Sequence, residues 1–285
     1  MPNPETPFIA ILADMHLAPQ EAGGERQQSL ADLPERRSRH LEEALSQLAA
    51  GPAPAATLFG GDNANQPVSD PRYRHVAHDF MRRFPRPLRA IPGNHDVGST
   101  VGWHHHDPDQ LSAACAAFRK DWEDWWVLEA AGFRILGINS QIFGSSLPEA
   151  AEQGAWLRAQ LARPRTQDCP SLRVVFAHTP PYLKSPDDDF SDGSEQMCLR
   201  PQARRHLLEI LNASPPDLLI TAHAHRFWRR PEPRWEWLGV PATALGIEEM
   251  AAVPSHNLPP GDSRVGWVAL RREGAGWRAE MHPCS

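Results

Sequence analysis

The chain has 285 residues and a net charge of −6, with 41% hydrophobic and 22% charged residues. Those proportions fit a globular chain with a sizeable core, most simply a single domain over residues 1–285. The acidic balance argues against a general nucleic-acid-binding field, and no apolar run approaches the roughly 20 residues of a membrane span.

The N-terminus lacks a basic region, and its first apolar run, Phe8 to Ala13, stops at Asp14. That is too short for a signal peptide, so a cytoplasmic protein is expected. The run itself reads as a buried strand. Pro34 to Ala50 follows as a helix, with Leu41, Ala44, Leu45 and Leu48 at helical spacing. Ala55 to Phe59 is a strand, Asp70 to Phe84 a helix opened by Asp-Pro, and Leu88 to Ile91 a strand. Asp107 to Trp126 reads as a helix, Phe133 to Ile138 as a strand and Glu152 to Leu161 as a helix. Leu172 to Ala177 is a strand, Pro201 to Leu211 a helix and Leu218 to Thr221 a strand. Trp235 to Leu238, Val265 to Leu270 and Trp277 to Met281 close the chain as strands without intervening helices. Alternating strand and helix followed by strands suggests a central pair of sheets with helices outside, an α/β sandwich. Cys115, Cys169, Cys198 and Cys284 are scattered with no CxxC pair, which suits reduced thiols.

Five motifs sit where apolar runs end: Asp14-Met15-His16, Gly61-Asp62-Asn63, Gly93-Asn94-His95-Asp96, Ala177-His178 and His223-Ala224-His225. Open α/β sheets gather ligands at the carboxyl ends of their strands, so these loops are expected to converge. Asp14 with His16, and His223 with His225, have i, i+2 spacing, which in extended backbone projects both side chains from one face. Asp62 has two oxygens and can bridge two cations. Asn94 offers an amide oxygen and His178 an imidazole nitrogen. Mixed nitrogen and oxygen donors without Cys suit Mn, Fe or Zn. Alone, a histidine at a strand end is usually a hydrogen-bonded structural residue, and Gly-Asp-Asn is usually a turn. The joint occurrence in this order is what points to a pair of metal ions.

This motif set resembles the calcineurin-like metallophosphoesterase superfamily. Position 65 is Asn where purple acid phosphatases carry Tyr, and Gly61-Asp62-Asn63-Ala64-Asn65-Gln66-Pro67 lacks the Asp-Arg-Gly of calcineurin-type protein phosphatases. Gly93-Asn94-His95-Asp96-Val97-Gly98 and Ile138-Asn139-Ser140-Gln141 are similar to the cyclic-nucleotide-phosphodiesterase-like branch, the small calcineurin-like phosphoesterase domain proteins. Ala222 stands where that family usually has Gly. The resemblance implies a four-layer α/β/β/α sandwich, two mixed sheets flanked by helices, around a dinuclear centre of divalent or trivalent ions. It places Asp14, His16, Asp62 and His225 on one ion, and Asp62, Asn94, His178 and His223 on the other. It leaves His95 as a non-ligand histidine facing the substrate.

Such a pair lowers the pKa of a bridging water, so that hydroxide can attack phosphorus in line. His95 is then expected to protonate the departing alkoxide, with Asp96 holding its tautomer. Asn63, Asn139, His104 and His105 are weaker candidates for lining the substrate pocket. The substrate class expected is a small phosphomonoester or phosphodiester, with no nucleic-acid or membrane partner. The competing expectations are a metal pair acting on a non-phosphate substrate and a non-catalytic scaffold on the same fold.

Overall fold

A computed structural model describes residues 6–19, 33–98, 107–165, 171–187, 197–245 and 258–285. Strands β1 (Phe8–Leu12), β2 (Ala56–Phe59) and β3 (Leu88–Ala90) run parallel in one sheet. The C-terminal hairpin of β10 (Gly266–Glu273) and β11 (Gly276–Pro283) completes that sheet by pairing antiparallel to β1, giving the order β11-β10-β1-β2-β3. The second sheet has the order β4-β5-β6-β7-β9-β8. Its strands are β4 (Trp126–Ala130), β5 (Phe133–Gly137), β6 (Leu172–Ala177), β7 (Leu218–Thr221), β8 (Trp228–Pro231) and β9 (Glu236–Gly239). Strands β5, β6, β7 and β9 are parallel, and β4 and β8 are antiparallel edges.

The layering follows from strand periodicity. Along β1 every residue is buried, so alternate side chains face two different cores. Ile9 and Ile11 point into the gap between sheets, against Phe133, Val174, Phe176 and Ile220. Phe8, Ala10 and Leu12 point the other way, toward helices α1 (Leu33–Ala50), α2 (Pro71–Met81) and α4 (Pro108–Phe118). On the far face of the second sheet, Val175, Leu219 and Trp237 meet Leu157 and Leu161 of α5 (Pro148–Ala162) and Leu207 and Ile210 of α6 (Pro201–Ala213). The result is the expected helix–sheet–sheet–helix sandwich. Each buried Ile, Leu or Phe contributes about 1.5–3 kcal/mol.

Local signals set the helix starts. The Asp70 carboxylate accepts from Arg72 N ahead of Pro71. Asp107 and Gln110 form a reciprocal capping box ahead of Pro108.

Three expected elements differ. The helix expected to reach Trp126 ends at Phe118, and Trp126 opens strand β4 instead. The Trp126 indole donates to the Ala90 carbonyl at 2.6 Å and its ring enters the inter-sheet core, so packing fixes the strand. Helix α5 begins at Pro148, four residues before the expected start. Strand β8, rich in Arg and Pro, carries no alternation and went unread. Between Asn94 and Val97 a single helical turn, α3, follows β3.

Candidate metal centre

All five motifs lie just past the ends of β1, β2, β3, β6 and β7, on one rim of the sandwich. The sheet ladder continues beyond the strands and aligns them. Asp14 N donates to Gly61 O and His16 N to Asp62 O, each at 2.9 Å, and Ala222 N donates to His178 O at 2.9 Å. The chain then turns through left-handed backbone. Asp14, His16, Asp62, His223 and His225 have φ of 53°, 47°, 50°, 65° and 49°. The extended backbone expected for Asp-x-His and His-x-His is therefore corrected. Both side chains of each motif reach the centre through paired left-handed turns, which Asp and His tolerate better than other non-glycine residues. Ala222 keeps negative φ, and the turn begins at His223, so the methyl group needs no glycine there. Gly93 is different: a Cβ on it would lie 2.1 Å from Asp62 Oδ1.

The donors converge in two groups. Asp14, His16 and His225 place one ligand atom each within 4.8 Å of one another, as do Asp62, His178 and His223. A third set, His16, Asp62 and His95, links them. Asn94 Oδ1 and His223 Nδ1 each lie 3.2 Å from His178 Nε2, and Asp62 Oδ2 lies 3.4 Å away. His225 Nε2 faces Asp14 Oδ1 at 3.3 Å.

The tautomers follow from carbonyl partners, which can only accept. His178 Nδ1–H donates to Gly60 O at 2.8 Å, and His225 Nδ1–H donates to Leu245 O at 2.9 Å. Each ring therefore presents Nε2 inward, the arrangement that orients metal-binding histidines. Asp14, Asp62, His16, His178 and His225 are all buried, and Asp14 Oδ1 and His16 Nε2 have no hydrogen-bond partner among the described residues. Buried polar atoms left this way are costly, and a cation resolves the cost for both oxygen and nitrogen donors. The residues present fit metal ions.

Electrostatics agree. Burial favours neutral His178, but the Asp62 carboxylate outweighs it and lifts the imidazole to about 9. His225 is raised by Asp14 against the same burial. Burial, with His95 adding to it, holds His16 well below its ordinary value. Burial pushes Asp62 upward, yet His178 and His95 pull it well below the carboxylate range. Deprotonated carboxylate beside proton-holding imidazoles is a charge pattern a cation can replace.

His95 projects from α3 and is 18% exposed. Its ring meets His16 edge-on at 4.5 Å, and Nε2 is 3.9 Å from Asp62 Oδ2. Its Nδ1–H donates to the Asn65 carbonyl at 3.1 Å. The orienting role expected of Asp96 is thus corrected. The Asp96 carboxylate accepts from Gly93 N, Asn63 N, Asn63 Nδ2 and Ala64 N, tying the β2 and β3 loops together. Burial and the nearby Asp62 push Asp96 up to about 7, against those donors.

Two other expected pocket residues are structural. Asn63 is buried beneath the centre with its amide on Asp96 and the Ile91 carbonyl. Asn139 is buried among Cys115, Asp124, Gln141 and Gln153, holding the turn after β5 to α5 and α4. His104 and His105 lie outside the described residues. The sequence reading missed Arg37, whose guanidinium donates to the His16 carbonyl; His40, expected to be structural or at the surface, is buried and donates to the Ala244 carbonyl at 2.9 Å. Both belong to the inner stripe of α1, where a polar residue among apolar ones was the available signal.

The chain is similar to known proteins. A curated zebrafish protein, serine/threonine-protein phosphatase CPPED1, is 30% identical over 144 residues, covering 49% of this chain and 42% of the relative. The chain therefore spans less than half the length of that protein. A probable cyclic nucleotide phosphodiesterase of Synechococcus is 26% identical over 242 residues, 81% of this chain and 77% of the relative. Among solved structures, a dimetal phosphatase from Danio rerio superposes with a TM-score of 0.57 at 13% identity, covering 98% of this chain and 97% of that one. At that identity the likeness concerns the fold. The family model described as calcineurin-like phosphoesterase matches residues 9–227, which span the motifs from Asp14 to His225. With those side chains gathered at one rim of the family's sandwich, the chain belongs to the calcineurin-like phosphoesterases.

Proposed function

We propose that the protein is a dinuclear-metal-dependent phosphoesterase acting on phosphomonoester or phosphodiester bonds of a small substrate. The observation that carries this reading is the two donor groups linked through His16 and Asp62, with Asp14 Oδ1 and His16 Nε2 left without hydrogen-bond partners among the described residues. Asp14, His16, Asp62 and His225 would hold one ion, and Asp62, Asn94, His178 and His223 the other, as Mn, Fe or Zn. A bound pair supplies Lewis-acid charge for the phosphoryl oxygens and makes water acidic enough to act as a nucleophile near neutral pH.

The chain's own residues do the rest. His95, part-buried beside Asp62, is placed to give a proton from Nε2 to the leaving alkoxide, because the Asn65 carbonyl fixes the other proton on Nδ1. Asp96 positions the loops rather than the proton. The relatives, a serine/threonine-protein phosphatase and a probable cyclic nucleotide phosphodiesterase, support a phosphate ester as substrate. The seven side chains proposed as ligands lie together at one rim, which weighs against a scaffold. Buried free thiols at Cys115 and Cys284 support a cytoplasmic location. Among the described residues no helix is long and apolar enough to cross a membrane.

The test is metal analysis of the purified protein, then assays with p-nitrophenyl phosphate and bis(p-nitrophenyl) phosphate under Mn, Fe or Zn. Turnover of either ester that tracks metal content supports the proposal. A full metal load with no hydrolysis of either rejects it.

A further inference from the structure

Helix α1 buries Leu41, Ala44 and Leu48 against the first sheet. Arg37 continues that stripe one turn earlier, where an apolar side chain is expected. Its guanidinium donates to the carbonyl of His16, one of the candidate ligands. Among the described residues its buried Nε has no hydrogen-bond partner and it makes no ion pair with a carboxylate. A part-buried guanidinium with no counter-charge among the described residues carries a desolvation cost, and it keeps its proton. Asp14 and Asp62, the nearby acids, face histidines instead. Pinning one carbonyl takes a single donor and no charge.

We infer that Arg37 is a substrate-binding residue: its guanidinium takes a non-bridging oxygen of the phosphoryl group beside His16. The charge favours a phosphomonoester dianion over a phosphodiester monoanion, because an added cation gains more from two negative charges than from one. The inference rests on the phosphoesterase reading and gives it a substrate preference.

Arg37→Gln keeps an amide donor for the His16 carbonyl and removes the charge, whereas Arg37→Lys keeps the charge and loses the fork. Metal-loaded wild type and both variants are titrated with inorganic phosphate by calorimetry, after their metal content is measured. Arg37→Gln is expected to hold wild-type metal and bind phosphate roughly tenfold more weakly, with Arg37→Lys in between. Its kcat/KM is expected to fall several-fold more on p-nitrophenyl phosphate than on bis(p-nitrophenyl) phosphate. Unchanged phosphate affinity, or equal losses on the two esters, overturns the inference. Loss of metal from Arg37→Gln also overturns it, since the residue then only braces the His16 turn. If wild type binds phosphate through Arg37 yet hydrolyses neither ester, the anion site stands and the phosphoesterase reading falls.

Discussion

The imidazole of His178 and the carbonyl of Gly60, 118 positions apart, meet at 2.8 Å. That bond joins the two sheets at the rim, because Gly60 follows β2 and His178 follows β6. It also decides which ring nitrogen faces Asp62. Assembly of the sandwich and orientation of a candidate ligand are therefore one event, and the stability of the centre and any metal affinity it has should move together.

Gly93 has no room for a side chain at the centre. A methyl group there must displace Asp62, whose Oδ1 already accepts from His95 N at 2.8 Å. Gly93→Ala is expected to cost about 1–3 kcal/mol of stability and to lower metal stoichiometry. Thermal unfolding and metal analysis check both; a variant with wild-type metal content would show that the loops yield easily.

Asp62 and His95 should separate binding from chemistry. Asp62→Asn is expected to lose metal and activity together. His95→Gln is expected to retain metal while kcat drops by about 10²–10⁴-fold, the range for a positioned proton donor. A metal-depleted His95→Gln would make His95 a ligand, consistent with its place in the donor set with His16 and Asp62.

Asp96 carries a different expectation. Its carboxylate takes N–H groups on both oxygens, so whichever way an amide is turned, an NH2 group opposes a donor. Asp96→Asn is expected to lower stability by about 1–3 kcal/mol. The melting temperature of the metal-free protein reads this directly. A change in turnover alone, with the melting temperature unmoved, would restore a role for Asp96 in the proton path.

Metal removal should itself destabilise the fold. Ions held at a hundred times their dissociation constant contribute about 2.7 kcal/mol per site. Chelation is expected to lower the melting temperature, and re-addition of metal to restore it in a concentration-dependent way. A chelator-insensitive transition would mean that the folded state gains nothing from metal.

The C-terminal hairpin makes a pH prediction. His282 stacks on Trp267 at 4.1 Å with the planes 7° apart, and its buried Nε2 has no hydrogen-bond partner among the described residues. Burial, aided by Arg271 and opposed by Glu280, lowers its pKa from the ordinary 6.5. Below 6.5 the unfolded chain then binds the proton more readily, so this contribution is complete above 6.5 and is lost as pH falls. His282→Phe keeps the stack and should flatten the dependence of stability on pH below 6.5. His206, lowered mainly by burial, acts in the same direction and leaves a residual slope. An unchanged slope in His282→Phe would place the titration elsewhere.

What the sequence revealed divides along physical lines. Strands such as Phe8 to Leu12 were legible because continuous apolar runs have few alternatives, and motifs at their ends pointed to one rim. Trp126 was misread and β8 went unread because tertiary contacts, the indole on the Ala90 carbonyl and pairing with β9, override local composition. Which side chains could donate to a metal was readable from residue identity. Their conformation was not, since i, i+2 spacing fits both an extended strand and paired left-handed turns. Asp96 and Asn139 looked like site residues from their motifs, but a side chain's partners depend on loops distant in sequence.

The left-handed turns at Asp14, His16, Asp62, His223 and His225 constrain ancestry as well as chemistry. Each such φ penalises most side chains by about 1–2 kcal/mol, and β-branched ones most severely. A descendant that abandoned metal could shed the ligands, but its backbone would still need those bends. Asparagine and glycine, rather than valine or isoleucine, would then mark the vanished centre.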